Sequence, residues 1–247
     1  MSIKKAKVII VMPAFNAEKT LEKTYQDLPK DLISEVVVVD DKSRDKTVEV
    51  AKRLGLKVFV HPQNLGYGGN QKTCYWEALK RKPDVVVMLH PDYQYDSTKT
   101  EELVRPILEG EYDLMFGSRI RTREEALKGG MLLSKYILNR VFCVIENIVL
   151  GVNFSEHFSG FRAYSRKVLE TVPFGRFSND FVFDQQMMAS AITLGFKVGE
   201  IPVPVRYFSE SSSIKFFKGA KFLLETLIVL FHFMLKRLGI TKDKLFR

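Results

Sequence analysis

Asp92 and Gln94 stand two residues apart near the end of segment 85–96, where Val-Val-Val-Met-Leu runs directly into His90-Pro91-Asp92-Tyr93-Gln94-Tyr95-Asp96. A short apolar run rich in Val reads as a buried strand, which puts the polar residues at its carboxyl end, where open α/β sheets bind ligands. Oxygen ligands on alternate residues of an extended segment point the same way, so Asp92 and Gln94 can share one hard cation, Mg2+ or Mn2+. Taken alone, the segment suits an ordinary surface turn equally well.

Other apolar runs end in the same kind of cluster. Residues 8–12 lead into Pro13-Ala14-Phe15-Asn16-Ala17-Glu18, and 35–40 into Asp40-Asp41-Lys42-Ser43-Arg44-Asp45. Residues 57–60 lead into His61-Pro62-Gln63-Asn64-Leu65-Gly66-Tyr67-Gly68-Gly69, and 114–117 into Ser118-Arg119. Carboxylates and amides suit hydroxyls and base edges, glycines let a backbone approach a ligand, and Arg119 can pair with phosphate. A sugar nucleotide needs all three. The glycine run is neither GxGxxG after the first strand nor a Walker sequence, so it counts only beside the rest.

Positioning these clusters on one rim requires strands that alternate with helices. Segments 17–28, 45–54, 69–80 and 97–108 carry apolar residues at three- and four-residue spacing, with Asp45 and Ser97 placed to cap the second and fourth. Strand–helix alternation implies right-handed crossovers and an α/β doubly wound, mainly parallel sheet with helices on both faces. The second half holds a long apolar helix at 131–150. A further helix at 180–194 begins with Asp180 and carries Asp184 one turn later, so both carboxylates can share a face; acids in a first turn also simply suit the helix dipole.

Together these segments resemble family 2 glycosyltransferases of GT-A fold, in the branch of the polyprenyl-phosphate sugar synthases such as dolichol-phosphate mannosyltransferase. The resemblance covers residues 7–215. It is carried by Met12-Pro13-Ala14-Phe15-Asn16-Ala17-Glu18, by segment 38–47 around Asp40 and Asp41, by Asn64-Leu65-Gly66-Tyr67-Gly68-Gly69, by Gly117-Ser118-Arg119 and by Ser159-Gly160-Phe161-Arg162. It implies a nucleotide-sugar donor (UDP- or GDP-sugar), an inverting transfer and a divalent cation, Mg2+ or Mn2+. It implies a nucleoside pocket lined by Pro13, Ala14, Asn16 and Glu18 with Asp40 or Asp41, and donor contacts from Asn64 and Gly66. At the family's DxD position the first acid is His90, while Asp92 matches the second and Gln94 the Gln that often follows. His90 removes one negative charge and suits Mn2+ better than Mg2+. Arg119 and Lys135 are the implied partners of diphosphate or acceptor phosphate, and Ser159, Gly160 and Arg162 lie on the acceptor side. Asp184 is the leading base or acceptor-orienting residue and Asp180 the second, with Gln186 at a position often acidic in the family. A polyprenyl phosphate (dolichyl or undecaprenyl) is the first acceptor and a glycan hydroxyl the second; a silent sugar-nucleotide-binding protein is the alternative of a different class.

Composition is compatible with this. The 247 residues are 46% apolar and 27% charged, as in an ordinary globular protein. Cys74 and Cys143 have no metal spacing and read as two buried thiols in a reducing compartment. The start lacks a signal-peptide pattern, so a cytoplasmic location is expected. Of the net charge of +9, residues 214–247 hold six, from eight Lys/Arg and two acids. These charges flank the apolar segment 222–235, which includes Glu225 and His232 and is too short for the roughly 20 residues of a membrane span. No nucleic-acid-binding motif is present. A 1–213 catalytic domain followed by a basic amphipathic helix at 214–247, lying on the cytoplasmic membrane surface, fits the pattern; a core or dimer helix is the plainer reading. A Rossmann oxidoreductase is disfavoured because Pro13–Glu18 stands where the dinucleotide glycines would be.

Overall fold

The computed structural model describes residues 6–120, 122–128, 130–205, 216–241 and 246. The boundary expected at 213/214 and Lys215 lie outside the described residues.

The seven strands are β1 (Val8–Ala14), β2 (Ile33–Asp40), β3 (Lys57–Val60), β4 (Val85–Met88), β5 (Leu114–Ser118), β6 (Arg162–Ser165) and β7 (Val198–Pro202). They form one sheet in the order β3-β2-β1-β4-β6-β5-β7. All neighbours are parallel except at β6, which runs antiparallel to both β4 and β5.

Alternation along the strands sorts the core into two layers. Val8, Ile10 and Met12 of β1, with Val36, Val38, Val85 and Val87, pack on the helices α1 (Leu21–Gln26), α2 (Thr47–Arg53) and α4 (Thr100–Leu108). Ile9 and Val11, with Val37, Val39, Val86 and Met88, face α3 (Tyr67–Leu79), α8 (Phe183–Thr193) and α9 (Phe216–Arg237). Every residue of β1 and β4 is buried. At roughly 1.5–3 kcal/mol per large apolar side chain, these two strands are the rigid floor beneath the rim. The remaining helices are α5 (Arg123–Lys128), α6 (Leu133–Leu150) and α7 (Arg166–Thr171).

From β1 the chain builds β2 and β3 on one side, then returns to place β4 on the other. The crossing between β1 and β4 is therefore the switch point, and ligands of such sheets bind above it. Because β6 is antiparallel, its first residue Arg162 pairs with Met88 at the end of β4, bringing loop 159–161 to the same rim.

Several expected boundaries move. Segment 17–28 is helical only from Leu21 to Gln26. Asp45 does serve its helix, accepting from the Thr47 N–H at 3.0 Å. In the fourth helical segment, however, Asp96 caps by accepting from Thr98 N–H at 3.2 Å, while the Ser97 hydroxyl donates to Thr24 O. Helix α9 buries Val229, Leu230 and Phe233 in the main core, so it is a core helix on one side. Among the described residues no helix is long and apolar enough to cross a membrane.

Candidate active site

At the carboxyl end of β2, Asp40 and Asp41 are both buried but do different things. Asp41 accepts from Leu65 N–H at 2.8 Å, Gly66 N–H at 3.0 Å and His61 Nδ1 at 2.8 Å. Its carboxylate is consumed in holding loop 61–66. Asp40, 1% exposed, accepts from Ser43 N–H at 3.0 Å through Oδ1. Its Oδ2 is buried with no hydrogen-bond partner among the described residues. A carboxylate oxygen kept in that condition costs stability unless a ligand donor meets it. Pro13 and Ala14 are buried at the end of β1.

Asn16, at φ +53°, donates from its N–H to Ser43 Oγ and accepts from Arg44 N–H at 2.9 Å. Glu18 accepts from Lys46 N–H and donates from its own N–H to Asp45. Burial alone would raise the Asp45 carboxyl, but hydrogen bonds from Thr47 and the Glu18 backbone outweigh it and hold the group below its usual range. Asn16, Glu18, Thr20 and Asp45 line a small surface cleft of about 210 Å³. These residues knit the first two rim loops into one wall.

The glycine loop approaches protein, not open space. A Cβ on Gly68 would meet Ser178 O at 2.4 Å, and one on Gly66, at φ +83°, would meet Asn179 O at 2.7 Å. Gly68 N–H donates to Asn179 O at 2.8 Å. Asn64 donates to Asp41 O and accepts from Gly66 N–H. The expectation that these glycines admit a ligand is corrected: they let loop 64–69 dock on loop 178–180. Lys72, buried below, donates to Phe177 O and to Asn179 Oδ1 at 2.7 Å, reinforcing that contact.

Above β4, the alternate-residue argument for Asp92 and Gln94 fails because the segment is not extended. Tyr93 has φ +57°, and Asp92 Oδ1 accepts from the Gln94 N–H at 3.1 Å in a tight turn. Asp92 remains partly exposed while Gln94 is 6% exposed. His90 turns inward: Nε2 lies 3.1 Å from the Tyr67 hydroxyl, and the rings stack at 5.2 Å. Burial lowers the His90 pKa against the opposing pull of Asp92 and Asp184, favouring neutral imidazole. Among the described residues no three His, Cys, Asp or Glu side chains converge as a metal cage. The single accessible carboxylate of Asp92 fits Mg2+ or Mn2+ in the form these ions take when substrate phosphates and water supply the other ligands.

In the first turn of α8, Asp184 is 6% exposed and accepts from the Tyr67 hydroxyl at 2.7 Å and Gln71 Nε2 at 3.2 Å, one donor on each oxygen. Asp180 does not share its helix face, because α8 starts only at Phe183. Asp180 instead pairs with Lys221 of α9 at 2.7 Å. Partial burial opposes ionisation there, but the Lys221 and Phe181 N–H bonds prevail and hold its pKa down.

Arg119 is bound through Nε at 2.8 Å and Nη2 to Glu156, which is fully buried and also accepts from Arg119 N–H and Asn139 Nδ2. A phosphate would have to compete with that carboxylate. Arg162 is fully buried and donates to Ser159 O, Asp184 O and His157 O, so it cannot touch an acceptor. Ser159 is buried too, and Gly160 donates from its N–H to the Tyr95 hydroxyl at 2.9 Å. This loop shapes the rim from beneath. Lys135 stands exposed on the first turn of α6.

Tyr67, Gln71 and Glu156 were not foreseen. Tyr67, Gln71 and Tyr75 recur every fourth residue along α3, a polar stripe on a buried face, and Tyr75 donates to Gln71 Oε1 at 3.0 Å. Glu156 had no such signal.

The sequence profile described as "Glycosyl transferase family 2" matches residues 9–172. The uncharacterized protein MJ1222 of Methanocaldococcus jannaschii is 32% identical over 228 residues, 92% of this chain and 93% of that protein. The UDP-N-acetylglucosamine–dolichyl-phosphate N-acetylglucosaminyltransferase of Methanococcus voltae is 24% identical, over 81% of this chain and 86% of that one. Glycosyltransferase AglD of Haloferax volcanii is 30% identical over 79% of this chain, which spans only 32% of AglD. Among solved structures, glucosyl-3-phosphoglycerate synthase from Mycobacterium tuberculosis superposes with a TM-score of 0.70 at 21% identity, covering 97% of this chain and 82% of that one. That enzyme has also been solved with Mn2+ and uridine diphosphate. The rim above the switch point carries an unsatisfied buried carboxylate, Asp40, and an accessible one, Asp92, and by sequence profile and by identity over nearly its full length the chain belongs to glycosyl transferase family 2.

Proposed function

We propose that the chain transfers a hexose, with inversion, from a UDP- or GDP-sugar to a polyprenyl phosphate at the cytoplasmic surface of a membrane. The observation that carries the acceptor is the state of Asp184. Each of its oxygens already accepts a hydrogen bond, and it is nearly buried. That suits a fixed orienting anion better than a base that must take a proton. A phosphate acceptor is already anionic and needs no strong base, whereas a sugar hydroxyl does.

In this reading Asp40 Oδ2 receives a donor from the nucleoside, beside the wall built by Asn16 and Glu18. Asp92 would hold a divalent cation, which neutralises charge on the leaving diphosphate. An oxygen of the acceptor phosphate bonds to the anomeric carbon as the bond from that carbon to the diphosphate oxygen breaks. Asp184 orients the acceptor, and Arg119, fixed by Glu156, walls the cleft.

The outer faces of α6 and α9 support a lipid substrate. Helices α6 and α9 pack together, yet Ile137, Val141 and Ile148 on one and Leu224, Phe231 and Leu238 at the other are half exposed or more. Lys218, Lys236 and Arg237 stand at the ends of α9. An apolar face with basic ends matches an anionic interface. The dolichyl-phosphate enzyme of Methanococcus voltae is a relative whose activity agrees with this reading.

The test offers UDP- and GDP-hexoses with either undecaprenyl phosphate in vesicles or a soluble oligosaccharide. Label is expected in the lipid, and Asp184→Asn is expected to lose less than about a hundredfold, short of the upper range for general-base removal. Label only on the oligosaccharide, or a loss beyond about a thousandfold, overturns the phosphate acceptor.

A further inference from the structure

Tyr67 has one hydroxyl proton and two polar neighbours. Its oxygen is 2.7 Å from Asp184 Oδ2 and 3.1 Å from His90 Nε2. An ionised carboxylate only accepts, so the phenol proton goes to Asp184. The phenol oxygen can then serve His90 only as an acceptor, which places a proton on Nε2. The O–H···O contact has the length of a charge-assisted bond.

The surroundings leave these groups little freedom. The Tyr67 ring lies between His90, at 5.2 Å and 16°, and Phe181, at 4.7 Å and 32°. Gly160 completes the enclosure: a Cβ there would stand 2.7–2.8 Å from two His90 ring atoms and 3.2 Å from the Tyr67 hydroxyl. The second Asp184 oxygen is held by Gln71, whose own orientation is set by Tyr75. His90 follows β4, Tyr67 opens α3 and Asp184 lies in the first turn of α8. The hydroxyl therefore joins the diphosphate end of the cleft to its acceptor side.

We propose that Tyr67 is a positioning residue for sugar transfer, its hydroxyl anchored by His90 so that the Asp184 carboxylate is held in the orientation that receives the acceptor. This rests on the reading of Asp184 given above. It assigns His90 a task other than metal ligation through Nε2: to orient the phenol.

Tyr67→Phe keeps the ring between His90 and Phe181 and removes only the oxygen. Its kcat is expected to fall about tenfold, the loss of the hydrogen bond that holds Asp184, with the donor KM changed less than about threefold. Because Tyr67 acts through Asp184, adding Tyr67→Phe to Asp184→Ala, which leaves nothing at that position to bond the phenol, should cost nothing further, whereas independent contributions would multiply. Long-range 1H–15N spectra give a readout that needs no activity and no substitution. Among the four histidines, His90, assigned through contacts to the Tyr67 ring, should carry its proton on Nε2. A proton on Nδ1 alone, an unchanged kcat in Tyr67→Phe, or multiplicative losses in the double variant would each overturn the proposal. Absence of transfer to any acceptor by the wild type would instead refute the proposed function, while the His90 spectrum still decides the hydrogen-bond chain.

Discussion

Asp40 and Asp41 are adjacent, identical in side chain and nearly equally buried, yet the structure gives opposite forecasts for them. Asp41 takes three donors: Leu65 N–H, Gly66 N–H and His61 Nδ1. Asp41→Asn preserves shape but replaces one accepting oxygen by NH2, turned toward a donor it cannot receive. Losing one charge-assisted bond, worth about 1.5–3 kcal/mol, and stranding its buried partner gives about 3 kcal/mol. At about 2–4 °C per kcal/mol for a chain this long, Tm should drop by about 6–12 °C. Asp40→Asn retains the oxygen that accepts from Ser43 N–H and exchanges an unpartnered anionic oxygen for a neutral amide, so Tm should move by less than about 2 °C. Ligand response should invert the order. A nucleotide sugar at a hundred times its Kd adds about 2.7 kcal/mol of stability; Asp41→Asn should keep that thermal shift and Asp40→Asn should lose it. Scanning fluorimetry with and without UDP- and GDP-sugars measures both. If Asp40→Asn falls as far as Asp41→Asn in Tm, or retains the full ligand shift, the division of labour is refuted.

Three further outcomes follow from other parts of the molecule. Asp92→Ala should leave Tm within about 2 °C, since the bond its carboxylate accepts from the Gln94 N–H closes only a local turn, and abolish divalent-dependent transfer; near-normal turnover would remove Asp92 from the diphosphate site. Gly68→Ala should destabilise by about 1–3 kcal/mol, the cost of overpacking, because the added Cβ meets the Ser178 carbonyl at 2.4 Å and backbone cannot yield as a side chain does; a urea midpoint equal to wild type contradicts this. Burial raises buried Glu146 from 4.5 to about 8 and lowers His157, whose Nδ1 is 3.5 Å from Glu146, from 6.5 to about 3. The folded chain then holds a Glu146 proton that the unfolded chain releases above about 4.5, and refuses a His157 proton that the unfolded chain takes up below about 6.5. Stability from this pair falls above about pH 6.5 and below about pH 4.5, the two slopes cancelling between. Glu146→Gln should remove the alkaline fall and, with nothing left to cancel the His157 slope, let the acid fall begin near pH 6.5 in urea unfolding followed against pH.

What could be read from the sequence divides along a physical line. Strands β1, β2, β4 and β5 are legible because a strand buried on both faces must be a run of apolar residues, whatever lies around it. Strand β6 escapes because its first residue, Arg162, is a cation fully buried on backbone carbonyls, which breaks the apolar run from which strands are recognised. The short edge strand β7 offers only a partly buried pattern. The helix that was to align Asp180 with Asp184 begins three residues after Asp180, and the charge of Asp180 is answered by Lys221, 41 residues away.

The site shows the same division more sharply. Polar strand ends locate the rim, since the switch point follows from chain order. Which atoms on that rim remain open depends on partners distant in sequence, and spacing carries no record of them. Asp184 and Tyr67 meet across 117 residues, Arg119 and Glu156 across 37. Residue type made Arg119 a phosphate partner, but a guanidinium already forked onto a buried carboxylate presents little charge to a ligand. Residue type made the glycines a ligand cradle, but the space freed by their missing Cβ atoms is filled by loop 178–180. His90 carries the largest change of meaning. By the resemblance it stands where the family carries a metal-binding acid; by geometry its Nε2 meets the Tyr67 hydroxyl, which in turn donates to Asp184, so its contact is to a neighbouring side chain that no spacing in the sequence records.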